Sequence, residues 1–186
     1  MPRYIAFLRG INVGGHRVKM DRLRELFEEL SLRDVSTIIA SGNVIFSAHS
    51  GGVEALSERI ERHLALRLGY DVATFLRSPT ELSAIIAFQP PEVGEGGPSS
   101  SSDYVIFLRS PVSTELRSLF ESLGSETDGF RFSGSEIYWR VQGKLSESPL
   151  FGKELEKALR GVPTTMRNMN TLRRIAAKAQ RGGEAA

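Results

Sequence analysis

Hydrophobic positions along the chain switch between a strand-like and a helix-like period, and the switches divide it into elements. "YIAFLR" (4–9) is an apolar run too short for a helix and reads as a strand. Over 19–31, Met20, Leu23, Leu26, Phe27 and Leu30 recur at three- and four-residue spacings, which is one face of an amphipathic helix. "VSTIIA" (35–40) and "VIFSA" (44–48) are β-branched runs on either side of Ser41-Gly42-Asn43, a turn sequence. Leu56, Ile60, Leu64 and Leu68 predict a helix over 53–68. "DVATFLR" (71–77) is a fourth strand, after which Ser78 caps a short helix with Pro79 in its first turn.

The periodicity stops at "QPPEVGEGGPSSSS" (89–102), where proline, glycine and serine dominate, and this stretch reads as an exposed linker. Beyond it the same order returns. "YVIFLR" (104–109) is a strand, 113–123 a helix, and "GFRFS" (129–133) pairs with "EIYWRV" (136–141) across Gly134-Ser135. A helix over 149–160 follows Ser148-Pro149, then the strand "TTMR" (164–167) and a last helix from near Asn170. Phe-Leu-Arg itself occurs at 7–9, 75–77 and 107–109. The expectation is an α+β chain of two tandem ferredoxin-like units, each β-α-β-β-α-β plus a helix on an antiparallel sheet. Unit 1 covers 1–88, the linker 89–102, and unit 2 covers 103–186 with the C-terminal helix. The strands at 4–8, 44–46 and 104–108 are apolar on both faces, so each sheet is expected to be covered on both sides.

Composition narrows the class. A chain of 186 residues that is 40% apolar and 25% charged is globular, and it buries roughly 70% of its unfolded surface without help from metal or disulfide. There is no cysteine, which removes disulfides, thiolate metal sites and cysteine nucleophiles and fits a reducing compartment. No cationic start leads into an apolar run, and none reaches the roughly 18 residues of a membrane span. The expected location is the cytoplasm, with no membrane partner. The net charge of +2 is unevenly spread: residues 1–25 carry +4 and residues 153–181 carry +6, which leaves −8 for the rest. Both ends of the chain could thus contribute to one positive region; two solvated basic helices are the plainer alternative.

The β-α-β-β-α-β order gives this charge a place. The first two strands are parallel and the third is opposed, so the end of strand one and the turn between strands two and three lie at one sheet edge. Loop 10–18 and Ser41-Gly42-Asn43 should therefore meet. Gly10, Gly14 and Gly15 can take positive φ and leave N–H groups uncovered, the backbone arrangement that forms an anion nest. The next helix directs its positive end there. Arg9, Arg17 and Lys19 add charge, and Asn12, Ser41 and Asn43 can add directional hydrogen bonds. A phosphate or carboxylate is the natural guest, although a glycine-rich loop can also serve simply to let a helix pack closely on a sheet. Neither a P-loop nor a Rossmann fingerprint is present.

"FLRGINVGG", "SGNVIF" and "TTMRNMNT", in this order, resemble the mostly bacterial family known as domain of unknown function 1697. The family pattern has tryptophan where this chain has Met169. The resemblance implies no agreed activity; it marks as positions to test Arg9, Gly10, Asn12, Gly14, Gly15, Ser41, Gly42, Asn43, Arg167, Asn168, Asn170 and Thr171. In the last motif Arg167 falls at a strand end, and Asn168 or Asn170 falls where a helix cap belongs. Arg173 and Arg174 follow in the first turn, where cations oppose the helix dipole unless an anion lies nearby.

No recognisable catalytic constellation accompanies these residues. His16 is the one histidine in the candidate loop and has no identified partner, while Ser41 and Ser135 sit in hairpin turns. No metal-ligand spacing is present, and no cofactor is expected. Three functional expectations stand side by side. The first is binding of an anionic, phosphate-bearing ligand, such as a small phosphorylated molecule or nucleotide, at loop 10–18 and turn 41–43. The second is salt-dependent nucleic-acid binding through the basic ends, without the aromatic RNP1 character of an RRM. The third is a structural homodimer without ligand; sequence leaves monomer and homodimer open.

Overall fold

The computed structural model describes residues 1–12, 14–38, 42–49, 51–94 and 101–181. Among them are two four-stranded antiparallel sheets and six α-helices. The chain divides into two compact units. Unit 1 comprises Met1–Ala84 with the chain from Arg174 onward, and unit 2 comprises Ile85–Arg173.

In unit 1 the elements run β1 (Arg3–Leu8), α1 (Met20–Glu28), β2 (Arg33–Ile38), β3 (Asn43–Ser47), α2 (Val53–Leu68) and β4 (Thr74–Arg77). The α2 bounds are those of the sequence pattern, because leucine and isoleucine recur along one face and Gly69, at φ +79°, closes the helix in the left-handed conformation. The strand order is β2-β3-β1-β4, with β1 antiparallel to both neighbours, Arg3 opposite Ser47 and Ile5 opposite Arg77. One sheet face presents Ala6, Leu8, Val44, Phe46 and Leu76 to Leu23, Leu26 and Phe27 of α1 and to Leu56, Ile60 and Leu64 of α2. The alternate residues Ile5, Phe7, Ile45 and Phe75 are buried as well, so both faces are covered, as the all-apolar strands required.

Unit 2 follows as β5 (Ser101–Phe107), α4 (Thr114–Leu123), β6 (Asp128–Ser133), β7 (Glu136–Gln142), α5 (Lys153–Ala158) and β8 (Thr165–Asn168), in the order β6-β7-β5-β8. Trp139 of β7 is fully buried against Tyr104 and Phe130, and its Nε1 donates to the buried Asp128 carboxylate at 2.9 Å. Ser148 Oγ donates to the same carboxylate at 2.6 Å. A buried carboxylate is tolerable there because hydrogen bonds replace its lost hydration.

Several boundaries differ from the sequence pattern. Ser101 and Ser102, read as linker, are the first residues of β5, because β7 is long enough to pair them with Gln142 and Val141. The helix expected over 149–160 shortens to α5; Gly152, at φ +90°, sets its start, and a 3₁₀ turn over Leu145–Glu147 precedes it. The last two helices to be named, α3 (Pro79–Ala87) and α6 (Met169–Arg181), are each divided between the units. The expected second unit contained the whole C-terminal helix, whereas its residues from 174 group with unit 1. There Ile175 and Ala179 are buried, and Lys178 Nζ donates to the Thr37 carbonyl of β2 at 3.1 Å.

Candidate functional site

The end of β1 and the turn before β3 do meet. Leu8 N–H donates to the Gly42 carbonyl at 2.8 Å, and a Cβ placed on Gly42 would stand 2.9 Å from Ile11 Cβ. The loop after β1 therefore lies directly against the turn, with Ile11 buried between them. On its other flank Arg9 N–H donates to the Ala73 carbonyl at 2.9 Å, just before β4. From this anchored base the chain turns through Gly10 (φ +82°), Asn12 (φ +59°), Gly14 (φ +61°) and Gly15 (φ +91°). Four left-handed residues in six positions explain the glycine content, since a side chain there is strained.

The two asparagines of this region belong to its frame. Asn12 Oδ1 accepts from Val18 N–H at 2.7 Å, tying the two ends of the loop together. Asn43 is 0% exposed, and its Nδ2 donates to the Ile38 carbonyl at 3.0 Å. It was expected to face a ligand; its side chain instead closes the β2–β3 turn, because a buried amide needs an internal acceptor. Ser41 lies outside the described residues. Arg9, Arg17 and Lys19 are exposed, and among the described residues none forms an ion pair. Among the described residues the N–H groups of Gly14 and Gly15 donate to no carbonyl. Helix α1 begins without a side-chain cap, so its first-turn N–H groups have no side-chain acceptor.

His16 has a role that sequence reasoning did not find. Its ring stacks on Tyr70 at 3.8 Å between centroids and 25° between planes. Among the described residues the buried Tyr70 hydroxyl has no hydrogen-bond partner, and burial pushes that phenol above its ordinary pKa. The stack joins the glycine loop to the α2–β4 connection, a contact between residues 54 positions apart that no local pattern announces.

The second group of candidates lies in unit 2, while the glycine loop lies in unit 1. Arg167 is only 8% exposed and donates from Nη1 to Thr165 Oγ1 and to the Met166 carbonyl, both at 2.8 Å. Burial pushes its guanidinium pKa down to about 10. Arg167 is thus a bracing residue rather than an open anion contact. Asn168 Oδ1 accepts from Asn170 N–H at 2.9 Å and caps α6, and Asn170 Oδ1 accepts from Arg173 Nη1 at 3.0 Å. Thr171 is half-buried in the first turn.

Asn168, Asn170 and Arg173 border a cavity of about 430 Å³ whose other walls include residues 86–90 and 101–103 and Arg140. Arg140 holds Asp103 in a two-pronged contact, Nε to Oδ1 at 2.6 Å and Nη2 to Oδ2 at 2.9 Å. The hydrogen bond from Asp103 raises the Arg140 pKa against the opposing effect of burial. Sequence alone could not pair Asp103 with Arg140, because the pairing depends on the β5–β7 register.

With this geometry in place, comparison with known proteins gives a consistent picture. A solved structure described as that of conserved bacterial protein SP0830 from Streptococcus pneumoniae is similar at a TM-score of 0.77 and 26% identity, over 97% of this chain and 99% of that one. No curated protein matches. Among the described residues no helix is long and apolar enough to cross a membrane. Residues 1–138, which include the whole glycine loop and its partner turn, match the family described as Protein of unknown function (DUF1697), and the chain belongs to that family.

Proposed function

We propose that this protein binds a small anionic, phosphate-bearing ligand at the loop of residues 10–18 beside Gly42. The observation that carries the reading is the contact of Gly42 with Leu8 and Ile11. It joins two distant bends into one rim; the exposed Arg9, Arg17 and Lys19 belong to the same loop, and among the described residues the Gly14 and Gly15 N–H groups donate to no carbonyl. Backbone N–H groups give directional recognition of phosphate oxygens, and Arg9, Arg17 and Lys19 supply the countercharge. Asn12 acts by holding the loop in shape.

We also read each unit as ferredoxin-like and the chain as an internal duplication. The strand orders β2-β3-β1-β4 and β6-β7-β5-β8 support this, as does the recurrence of Tyr-x-x-Phe-Leu-Arg at the head of each sheet. Nucleic-acid binding of the RRM kind is less favoured, since Phe46 and Trp139, aromatic residues of two central strands, are fully buried instead of facing solvent.

The test is a thermal-shift series with nucleotides, sugar phosphates and short RNA on the parent protein and on Arg9→Ala. A ligand at a hundred times its Kd adds about 2.7 kcal/mol of stability. A nucleotide or sugar phosphate is expected to raise the parent's melting temperature and to lose most of that effect in the variant. A folded Arg9→Ala protein that responds like the parent removes the rim from the reading. A response to RNA alone, collapsing with added salt, favours nucleic acid instead.

A further inference from the structure

We infer that unit 1 carries a second binding site, for the phosphate group of a small phosphate ester or of free phosphate, on the triplet Arg3, Ser47 and Arg33 at one end of its sheet. The triplet lies at the start of β1 and the glycine loop follows its end, so the length of the strand separates them, about 17 Å at a rise of about 3.4 Å per residue. The two sites share no residue.

The triplet follows from strand register. Ser47 of β3 stands directly opposite Arg3 of β1 on one side and Arg33 of β2 on the other. Residues directly opposite in antiparallel strands project from the same sheet face, so the two arginines flank one hydroxyl. Neighbouring strands lie about 4.8 Å apart, which sets the two arginine backbones about 10 Å from each other, within reach of two long side chains converging on one ion. β2 is an edge strand, so beyond Arg33 no further strand of this sheet closes the position.

Its donors lack an internal acceptor. Arg3 Nε is buried and has no hydrogen-bond partner among the described residues. Ser47 is only 7% exposed, and among the described residues its hydroxyl makes no hydrogen bond either. Neither Arg3 nor Arg33 forms an ion pair there, and Asp34, the carboxylate next to Arg33 in the chain, is exposed and pairs with neither. Buried polar groups normally have partners, and like charges on neighbouring strands repel, so an anion between the arginines answers both needs. Unit 2 fills the same place differently. By alignment of the two Tyr-x-x-Phe-Leu-Arg strands, Arg3, Ser47 and Arg33 match Asp103, Arg140 and Gly129, where one carboxylate forks one guanidinium. Unit 1 has two guanidiniums and no carboxylate in that triplet. Two guanidinium forks and a hydroxyl offer about five donors, more than the roughly four lone-pair sites of a carboxylate, whereas the three terminal oxygens of a phosphate accept them all.

The experiment is a titration of the full-length, nitrogen-15-labelled protein with inorganic phosphate, glycerol phosphate and acetate in parallel, followed through backbone amide resonances. Saturable shifts with phosphate or its ester are expected at Arg3, Arg33 and Ser47, and acetate should leave them in place. Tighter binding of glycerol phosphate supports the site as one for an ester, and tighter binding of inorganic phosphate supports it as one for the free ion. Arg33→Gln, a change at an exposed residue, should weaken the apparent Kd about tenfold, and Arg3→Gln at least as much. If Arg3→Gln does not fold, Arg33→Gln decides. The inference is overturned if those amides do not shift, if the shifts grow without saturating, if acetate moves them equally, or if Arg33→Gln binds like the parent. The amides of Gly14 and Gly15 report on the glycine loop in the same spectra, so failure at one site is separable from failure at the other.

Discussion

A methyl group added at Gly42 would stand 2.9 Å from Ile11 Cβ and 3.1 Å from Leu8 Cβ, on a residue already at φ +74°. At Gly14, φ is +61° and nothing lies within 4 Å. The two positions thus separate backbone strain from crowding. Gly14→Ala should cost about 1–2 kcal/mol, the penalty for a left-handed alanine. Gly42→Ala should cost about 2–4 kcal/mol, because overpacking against two buried side chains adds to that penalty. Urea unfolding of both variants checks this, and equal losses would mean that the loop and turn do not press on each other. At this scale the left-handed glycines of the loop, Gly10, Gly14 and Gly15, were legible in the sequence. The roles of Asn43 and Arg167 were not, because whether a polar side chain faces solvent or braces the interior depends on burial, which residue type does not encode.

Helix ends carry the clearest electrostatics at the scale of the element. Glu29 follows α1 and lies 2.9 Å from Arg67 and 3.1 Å from Arg22, with His63 Nε2 3.1 Å from its other oxygen. Partial desolvation pushes its carboxyl pKa up, but the hydrogen bonds and charges of Arg67 and Arg22 outweigh this and hold it below the ordinary value of 4.5. A carboxyl with a depressed folded pKa adds stability that is present above pH 4.5 and lost as pH falls through the folded value. Glu29→Gln should accordingly lower the melting temperature at pH 7, and the gap to the parent should close below pH 4.5. Melting curves at pH 7 and pH 3 test this; a gap of constant size would assign the effect to packing. Elements themselves were well marked where a periodic pattern ended on a strong signal, as in α2 with Gly69. They were poorly marked where tertiary pairing chose the boundary, as at Ser101, or where a glycine cut into the pattern, as at Gly152.

Across the whole chain, the division into units makes a prediction that the order of elements does not. Ile175 is fully buried, and the helix from Arg174 groups with unit 1. Ile175→Ala should cost about 2–4 kcal/mol through the lost side chain and the cavity left behind. The accompanying rise in amide hydrogen exchange should fall in β1–β4. A rise confined to β5–β8 would contradict that grouping.

What the sequence by itself determined is the run of strands and helices, their recurrence in the two halves, and the placing of glycines and cations after the first strand. These follow from local physics: side-chain period, turn chemistry and the conformational freedom of glycine act over a few residues and are written in order along the chain. The tertiary structure alone decided the Asp103–Arg140 fork, the stacking of His16 on Tyr70, the burial of Arg167 and the grouping of the last helix from Arg174 with unit 1. Each of these depends on register or on contacts between residues tens of positions apart, and burial settles them by removing water from one partner set and leaving it on another.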